Sequence, residues 1–484
     1  MPYIPITGFA PDADPTTPGV LTQCANLVPT SRGMRCGASG VATAQGALAD
    51  PVRGAFLARQ LNGTNRFFAA TQDAIYEAGA TSWADVSKVG GYTGTTTNRR
   101  RFCQYGDVTI TGDGTATDSE ILQFSATGAF ADIAGSPKAE IVETVELFVF
   151  ALNTNANTDG WHCCAKGDYT DWVENIDTES ASGRLVGSPG AITAGKRLGG
   201  NMVAYKERAI FIASYIGSPQ IWLWQQVAGS AGALSQEAVA SITMNGAPAH
   251  IVVGPDDIWI FDGSRPVSIA NGVLREWFFA QFNQAYRSKV FAVPDEANGR
   301  VFIWYPDSTS AGNANACIVY HYHTGKWGRW QSGDISWATD WAPTPKDFDS
   351  IVGTFDAQIT TFDSFGVPVY YSMPGYFSTA DVFNIIGGGA TASSWTTGDV
   401  GTDGSITLLS RIRPRMLIGT PLGTVTNYYR DSLSDSLITD FSVPLVSGKA
   451  DMLRSARWHR VAASWNGDYE LLGLDWSLQE DGID

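Results

Sequence analysis

The feature that most constrains this chain is a recurring short unit. Each copy has an apolar strand, a polar turn and a second strand carrying aromatic or branched side chains. "RFFAATQDAIYEAG" (Arg66 to Gly79) shows it plainly, turning at Gln72-Asp73. It returns in "RRFCQYGDVTITGDG" and "EILQFSATGAF" between Arg100 and Phe130, and again at Leu147 to Ala165, Ala209 to Val227 and His250 to Ala270. Two more copies are Lys289 to Asp307, running on into "CIVYHYHTGKWGRW", and Ser350 to Val369. Ile75/Tyr76, Ile121/Phe124, Trp222/Trp224, Trp259/Phe261, Tyr320/Tyr322 and Ile359/Phe362 mark the second strands. Alternation of period two sets one group of side chains on one sheet face. The marks recur about every 40 to 60 residues, close to the spacing of propeller blades.

No sustained 3.6-residue stripe competes; "LSQEAVA" (Leu234 to Ala240) offers one or two helical turns. The expected fold is therefore all-β and β-propeller-like with six or seven blades, an extended N-terminal arm and a C-terminal β-module. Radial closure lets many short strands avoid exposed edges. The loose period leaves a sandwich or two stacked β-domains as the alternative.

At 484 residues the chain exceeds one ordinary compact core unless the architecture is closed and repetitive. Aromatics reach 12% and charged residues only 17%, against about a quarter in typical domains. The 52 glycines, with frequent Thr, Ser, Asn and Asp, supply tight turns. A net charge of −16 argues against a general nucleic-acid binder, which needs clustered Lys and Arg. It agrees with ordinary solubility, or with a conduit wall that repels phosphates. Cys24, Cys36, Cys103, Cys163, Cys164 and Cys317 show no CxxC pair and no zinc spacing, and read as buried thiols from a reducing compartment. "MPYIPITGFAP" has neither a basic nor an apolar leader region. No stretch approaches the roughly 18 to 20 apolar residues of a membrane span, so synthesis in the cytoplasm is expected.

Composition suggests four parts. Residues 1–50 read as a proline-rich docking arm and 51–375 as the propeller-like domain. Residues 376–404, containing "IIGGGATASSWTTGDVGTDGS", read as a Gly/Ser/Thr-rich loop. Residues 405–484 return to alternating strands as a C-terminal β-module, with a hairpin expected at Asn466-Gly467.

Motifs for chemistry are sparse. GxSxG, the Walker loop and HExxH are missing from the sequence. "SGDISWATDW" (Ser332 to Trp341) lacks the spacing of a sialidase-type Asp-box. His321 and His323 share a strand face without a third ligand in view, and the adjacent Cys163 and Cys164 of "WHCC" point to opposite faces. Asp256/Asp257 in "GPDDIWIF" fit a turn. Trp327, Trp330, Trp337 and Trp341 are dense enough for a sugar-stacking platform, or simply for packing blades. Among the basic residues, Arg99 to Arg101 form a run. Arg411, Arg413 and Arg415 alternate along one strand, and Arg454, Arg457 and Arg460 cluster. The last six form a candidate subunit-interface stripe, or an ordinary solvated face. No catalytic residue, metal ligand or cofactor is expected.

"GFAPDADPTTPGVLTQCANLVPTSRGMR", with its proline-rich lead and Arg-Gly turn, resembles the beginning of tail-hub proteins of short-tailed bacteriophages, also called nozzle or packaged-DNA stabilisation proteins. "VYHYHTGKWGRW" looks like a blade element of that group, with Tyr320, Gly325, Lys326 and Trp327 in matching roles. "RWHRVAASWNGDYELLGLDWSLQEDG" looks like its closing segment. "TGKW" also occurs in kelch propellers, but of the Gly-Gly doublets those need in each blade, only Gly90-Gly91 and Gly199-Gly200 are well placed.

The resemblance implies a virion protein forming a six-fold ring below the portal and adaptor, or head-to-tail connector. Such a ring extends the DNA channel, touches passing DNA without sequence preference, and attaches fibres or spikes and a tail plug. It implies a structural protein, not an enzyme. Ile4, Ile6, Phe9, Val20 and Leu21 become the arm's anchors on a neighbour. The alternative is a carbohydrate- or receptor-binding propeller, or a propeller-type glycan hydrolase. A hydrolase would gather carboxylates and arginines at the propeller centre, whereas a hub would present an acidic channel.

Overall fold

The computed structural model describes residues 3–93, 98–113, 121–331, 333–342 and 372–482. Its first large unit is a ring of seven four-stranded antiparallel blades. The innermost strands are Gly54–Arg59, Arg101–Tyr105, Ala139–Val145, Ile192–Leu198, Val239–Met244, Phe291–Asp295 and Ile335–Trp341. Each touches the next, and the seventh touches the first, so the ring is closed. They open blades 1 to 7 in that order. Six blades are free-standing sheets, while blade 6 runs on into a second unit.

Local chemistry explains the meanders. In blade 5, Asn245-Gly246 takes positive φ at both positions and joins Val239–Met244 to Ala247–Val253 as a two-residue hairpin. Ile192–Leu198 alternates buried and more exposed positions, as an inner strand between two neighbours must. "LSQEAVA" becomes a single 3-10 turn, Gln236–Ala238. The unit expected at Ser350 to Val369 lies outside the described residues.

Blade 7 is completed from the other end of the chain. Its outermost strand is Ala38–Ala47, paired with Val382–Ala390. The ring is thus latched by an N-terminal strand on a C-terminal one, which covers the edge that Val382–Ala390 would otherwise expose. This corrects two expectations. Residues 38–47 are not part of an arm, and 376–404 is not a loop but the strands Val382–Ala390, Ser393–Thr397 and Val400–Gly401, with the end of Met373–Ser378. The Gly/Ser/Thr composition lost to long-range pairing, which supplies the backbone partners those residues lack locally.

The second unit is a two-sheet base built from both chain ends. One sheet continues from blade 6 through Leu27–Pro29 and Met34–Cys36 to Glu470–Gly482, Ile406–Ile418 and Ala450–Ala456. The other runs Gly8–Phe9, Val20–Ala25, Ser393–Thr397, Trp458–Asn466, Leu422–Arg430 and Ile438–Pro444. Where blade 6 passes into the base, a Cβ on Gly328 would lie 2.3 Å from the Leu27 carbonyl oxygen, so only glycine permits that approach. The hairpin expected at Asn466-Gly467 is a turn without a shared ladder. Trp458–Asn466 pairs in one sheet and Glu470–Gly482 in the other, burying Trp465, Leu471, Leu474 and Trp476 between them.

The N-terminal residues are extended, as expected, but they dock on this chain. Tyr3–Pro5 pairs with Glu470–Gly482, and Gly8–Phe9 pairs in parallel with Val20–Ala25. Ile6, Phe9, Val20 and Leu21 are buried and Ile4 packs against the same core. The Phe9 ring meets Trp277 edge-on at 4.9 Å. The Asp12 carboxylate accepts from the backbone N–H groups of Glu276 and Trp277 in the first turn of the helix Arg275–Gln281. The five anchors expected to reach a neighbour are therefore core residues, because the C-terminal strands already offer the apolar surface and hydrogen bonds they need.

Candidate functional site: the propeller axis

Six of the seven inner strands, all but that of blade 3, line a cavity of about 410 Å³. At the end where these strands begin, a buried ion network crosses the axis. Arg101 opens blade 2, and its Nε donates to Glu237 Oε1 at 2.9 Å while its Nη1 donates to Glu140 Oε1 of blade 3 at 2.6 Å. Arg99 Nη1 donates to Glu237 Oε2 at 2.9 Å. Glu237 sits just before blade 5, so the network joins blades that are not neighbours in the ring. Burial pushes its carboxyl up, but Arg101 and Arg99 outweigh that and hold it down to about 2. Beside it, the Gln236 side chain accepts from the Gly195 N–H at 2.6 Å and donates to the Gly195 carbonyl at 2.8 Å, tying in blade 4.

Different groups stand where the inner strands end. Arg59, Glu296 and Asp340 come from blades 1, 6 and 7, and Lys196 of blade 4 reaches the same cavity. Burial pushes the Asp340 carboxyl up, opposed by Arg59 and Lys196. Burial also raises Glu143 of blade 3, again opposed chiefly by Lys196. Carboxyls biased towards their neutral form beside fixed cations are suited to donating a proton to a bound ligand oxygen.

Most residues singled out in the sequence lie elsewhere. Arg99 and Arg101 belong to the axial network, and Arg100 pairs with Asp113 at 2.6 Å. Trp327, Trp330 and Trp337 are buried, as the blade-packing reading expects, and the alternative of a sugar-stacking platform does not form from them. His321 is buried and its pKa is lowered to about 4 by burial, then by His323 and Arg300. Among the described residues no group of three or more His, Cys, Asp or Glu is placed to hold a metal. Asp257 accepts from the Ile258 N–H and Asp256 pairs with Arg208, as in a surface turn.

The candidate basic stripe is corrected as well. Arg411 pairs with Asp451, Arg415 with Asp475, Arg454 with Asp440 and Arg460 with Asp399, all within this chain. Arg413 is exposed across the ladder from Asp475, and Arg457 has contacts of its own. Four of the six arginines are thus paired within the chain, Arg411 with the Asp directly across its ladder and the others with carboxylates on a diagonal, a neighbouring sheet or a loop.

Of the axial residues the sequence singled out Arg99 and Arg101 as a run; Glu143, Lys196 and Asp340 escaped because each comes from a different strand. The available signal was a charged residue inside an apolar inner strand, as Glu143 in "AEIVETV", Lys196 in "ITAGKRL" and Asp340 in "ISWATDW".

No family model and no curated protein matches this chain. Among solved structures it is similar to an exo-β-1,3-galactanase from Phanerochaete chrysosporium with galactose. The identity is 11%, the match covers 90% of this chain and 100% of that one, and the TM-score is 0.29. A variant of that enzyme with β-1,3-galactotriose aligns at 11% identity over the same shares, with a TM-score of 0.28. At that level neither activity nor substrate passes to this chain. The expectation of a non-enzymatic chain is withdrawn on the geometry of the axis, where Asp340, Glu296, Arg59 and Lys196 line one cavity, the gathering of carboxylates and cations that the hydrolase alternative called for.

Proposed function

We propose that this chain is a structural ring subunit of the phage tail-hub type. Its partners would be further copies of itself in a six-fold ring, the adaptor above, and fibres, spikes or a plug below, with DNA passing through an acidic lumen. One observation supports this above the rest. The propeller leaves and re-enters a base woven from both chain ends, and that base exposes Leu417, Ile418, Leu422, Phe441, Val446 and Leu453. Eight of the twenty exposed large apolar side chains among the described residues fall between Leu417 and Leu453, and a cluster of that kind suits an assembly surface. The net charge of −16 suits a conduit that must not grip phosphates. Electron microscopy of the purified chain, alone and mixed with a phage portal–adaptor complex, tests the reading. Rings with an open centre, free or on that complex, are expected; a persistent monomer that never docks refutes it.

A second reading, a carbohydrate-active propeller, is favoured by the axial cavity with Asp340, Glu296, Arg59 and Lys196. A panel of glycans including β-1,3-linked galactan, assayed for binding and for released sugar, tests it. Turnover that disappears in Asp340→Asn with the melting temperature unchanged supports this reading; no binding and no turnover across the panel refutes it.

A further inference from the structure

We infer that copies of this chain meet head to tail through two different apolar faces of the base, an inference that rests on the ring reading above. The first face is the tip where Ile406–Ile418 turns into Leu422–Arg430, beside the turn at 445–449. Leu417, Ile418, Leu422 and Val446 are exposed there, Leu422 at 74%. Next to them lies a groove of about 330 Å³ lined by residues such as Met416, Pro421 and Leu445 and by no charged side chain. The second face is the open side of the sandwich. Ile438–Pro444 and Ala450–Ala456 each end a sheet and pair on one side only. They expose Ile438, Phe441 and Leu453, the last at 71%.

Charge selects a second copy as the occupant. Two chains of net −16 repel over most of their surfaces, so identical copies meet best where charge is missing or cancelled. The groove at the tip has no charged lining, and the open edge carries no excess of negative charge, since Lys449 and Arg411 share Asp451 and Arg454 pairs with Asp440. Area agrees. The seven side chains expose on the order of 700 Å² of apolar surface, and with the ~57% apolar share of a typical interface this fits a contact of about 1,200 Å², at the lower end of the usual ~1,200–2,000 Å². Two unlike faces give a heterologous contact, which closes into a ring under rotation.

The test uses two surface variants of the full chain, a tip variant (Leu422→Asp with Val446→Asp) and an edge variant (Phe441→Asp with Leu453→Asp). Light scattering and electron microscopy read assembly, alone and on the portal–adaptor complex. Circular dichroism and melting check the fold, and Ser replaces Asp where a variant misfolds. Each variant alone is expected to self-associate at least about 30-fold more weakly, the effect of losing interface anchors. Mixed together, the two are expected to form pairs and no rings, since only one intact contact remains. Wild-type rings with both variants assembling normally would overturn the assignment of faces and leave the ring reading standing. Rings lost in the tip variant alone would overturn the open edge as the tip's partner and place that partner on another face of the chain. Wild-type chains that never assemble would overturn the ring reading itself, and this inference with it.

Discussion

Replacing Glu237 with glutamine tests whether the propeller is clamped across its axis by charge. The carboxylate accepts from Arg99 and Arg101, and the side chains of all three are at most 12% exposed. Glutamine keeps one acceptor but turns an amide N–H₂ towards a guanidinium. Holding this carboxyl at about 2 instead of its ordinary 4.5 makes the ionised form worth on the order of 3 kcal/mol to the folded state. Removing one partner of a buried pair typically costs about 3–5 kcal/mol, which agrees.

The pH dependence follows from the lowered value. A carboxyl with a depressed folded pKa stabilises fully above its ordinary pKa, and that contribution is lost as pH falls from about 4.5 towards 2. The variant should therefore melt lower than wild type at pH 7, and the gap should shrink at pH 2.5. For a chain of 484 residues unfolding as one unit, each kcal/mol moves the midpoint by about 1 °C, so calorimetry should read a gap of about 3 °C at neutral pH. Equal midpoints at pH 7 would show that desolvation cancels the attraction. An equal gap at both pH values would show that shape, not charge, was lost.

Three further outcomes are expected. Phe9→Ala empties a fully buried site against Trp277 and should cost about 3–5 kcal/mol, read as early melting and protease sensitivity of the base; a free docking arm would show no loss. Gly328→Ala should cost ~1–3 kcal/mol by pushing blade 6 off Leu27, and unchanged stability in denaturant would contradict the close approach. His250, buried with Nδ1 at 2.7 Å from the Tyr205 hydroxyl, has its pKa lowered by burial to about 4, so it stays neutral in the fold while the unfolded chain takes up a proton near 6.5. Stability from this group is complete above 6.5 and falls as pH drops towards 4; an NMR titration of His250 with a midpoint near 6.5 would refute this.

The blades were legible because each is made of consecutive strands, and consecutive strands leave local marks: Trp259 and Phe261 on one strand, Asn245-Gly246 at a turn. What joins distant parts left none. Gly387 to Gly389 look like a linker until Ala38–Ala47 pairs beside them, and Asp340 looks like any turn residue until the ring brings Arg59 near it. The arm marks the boundary between the two cases. That an extended, proline-broken segment cannot bury Ile6 or Phe9 alone was readable; that its partner is this chain's own last strand was not, since Ile4 faces Leu474 across nearly the whole sequence. The same separation orders the molecule in time. Contacts this distant pay their loop-closure entropy late, and the strand Glu470–Gly482 is synthesised after every described blade strand. The base, and with it the faces through which copies are inferred to meet, cannot close until the propeller chain is already made. If copies meet as inferred, assembly is thereby withheld from incomplete chains, whose premature association would trap unfinished blades.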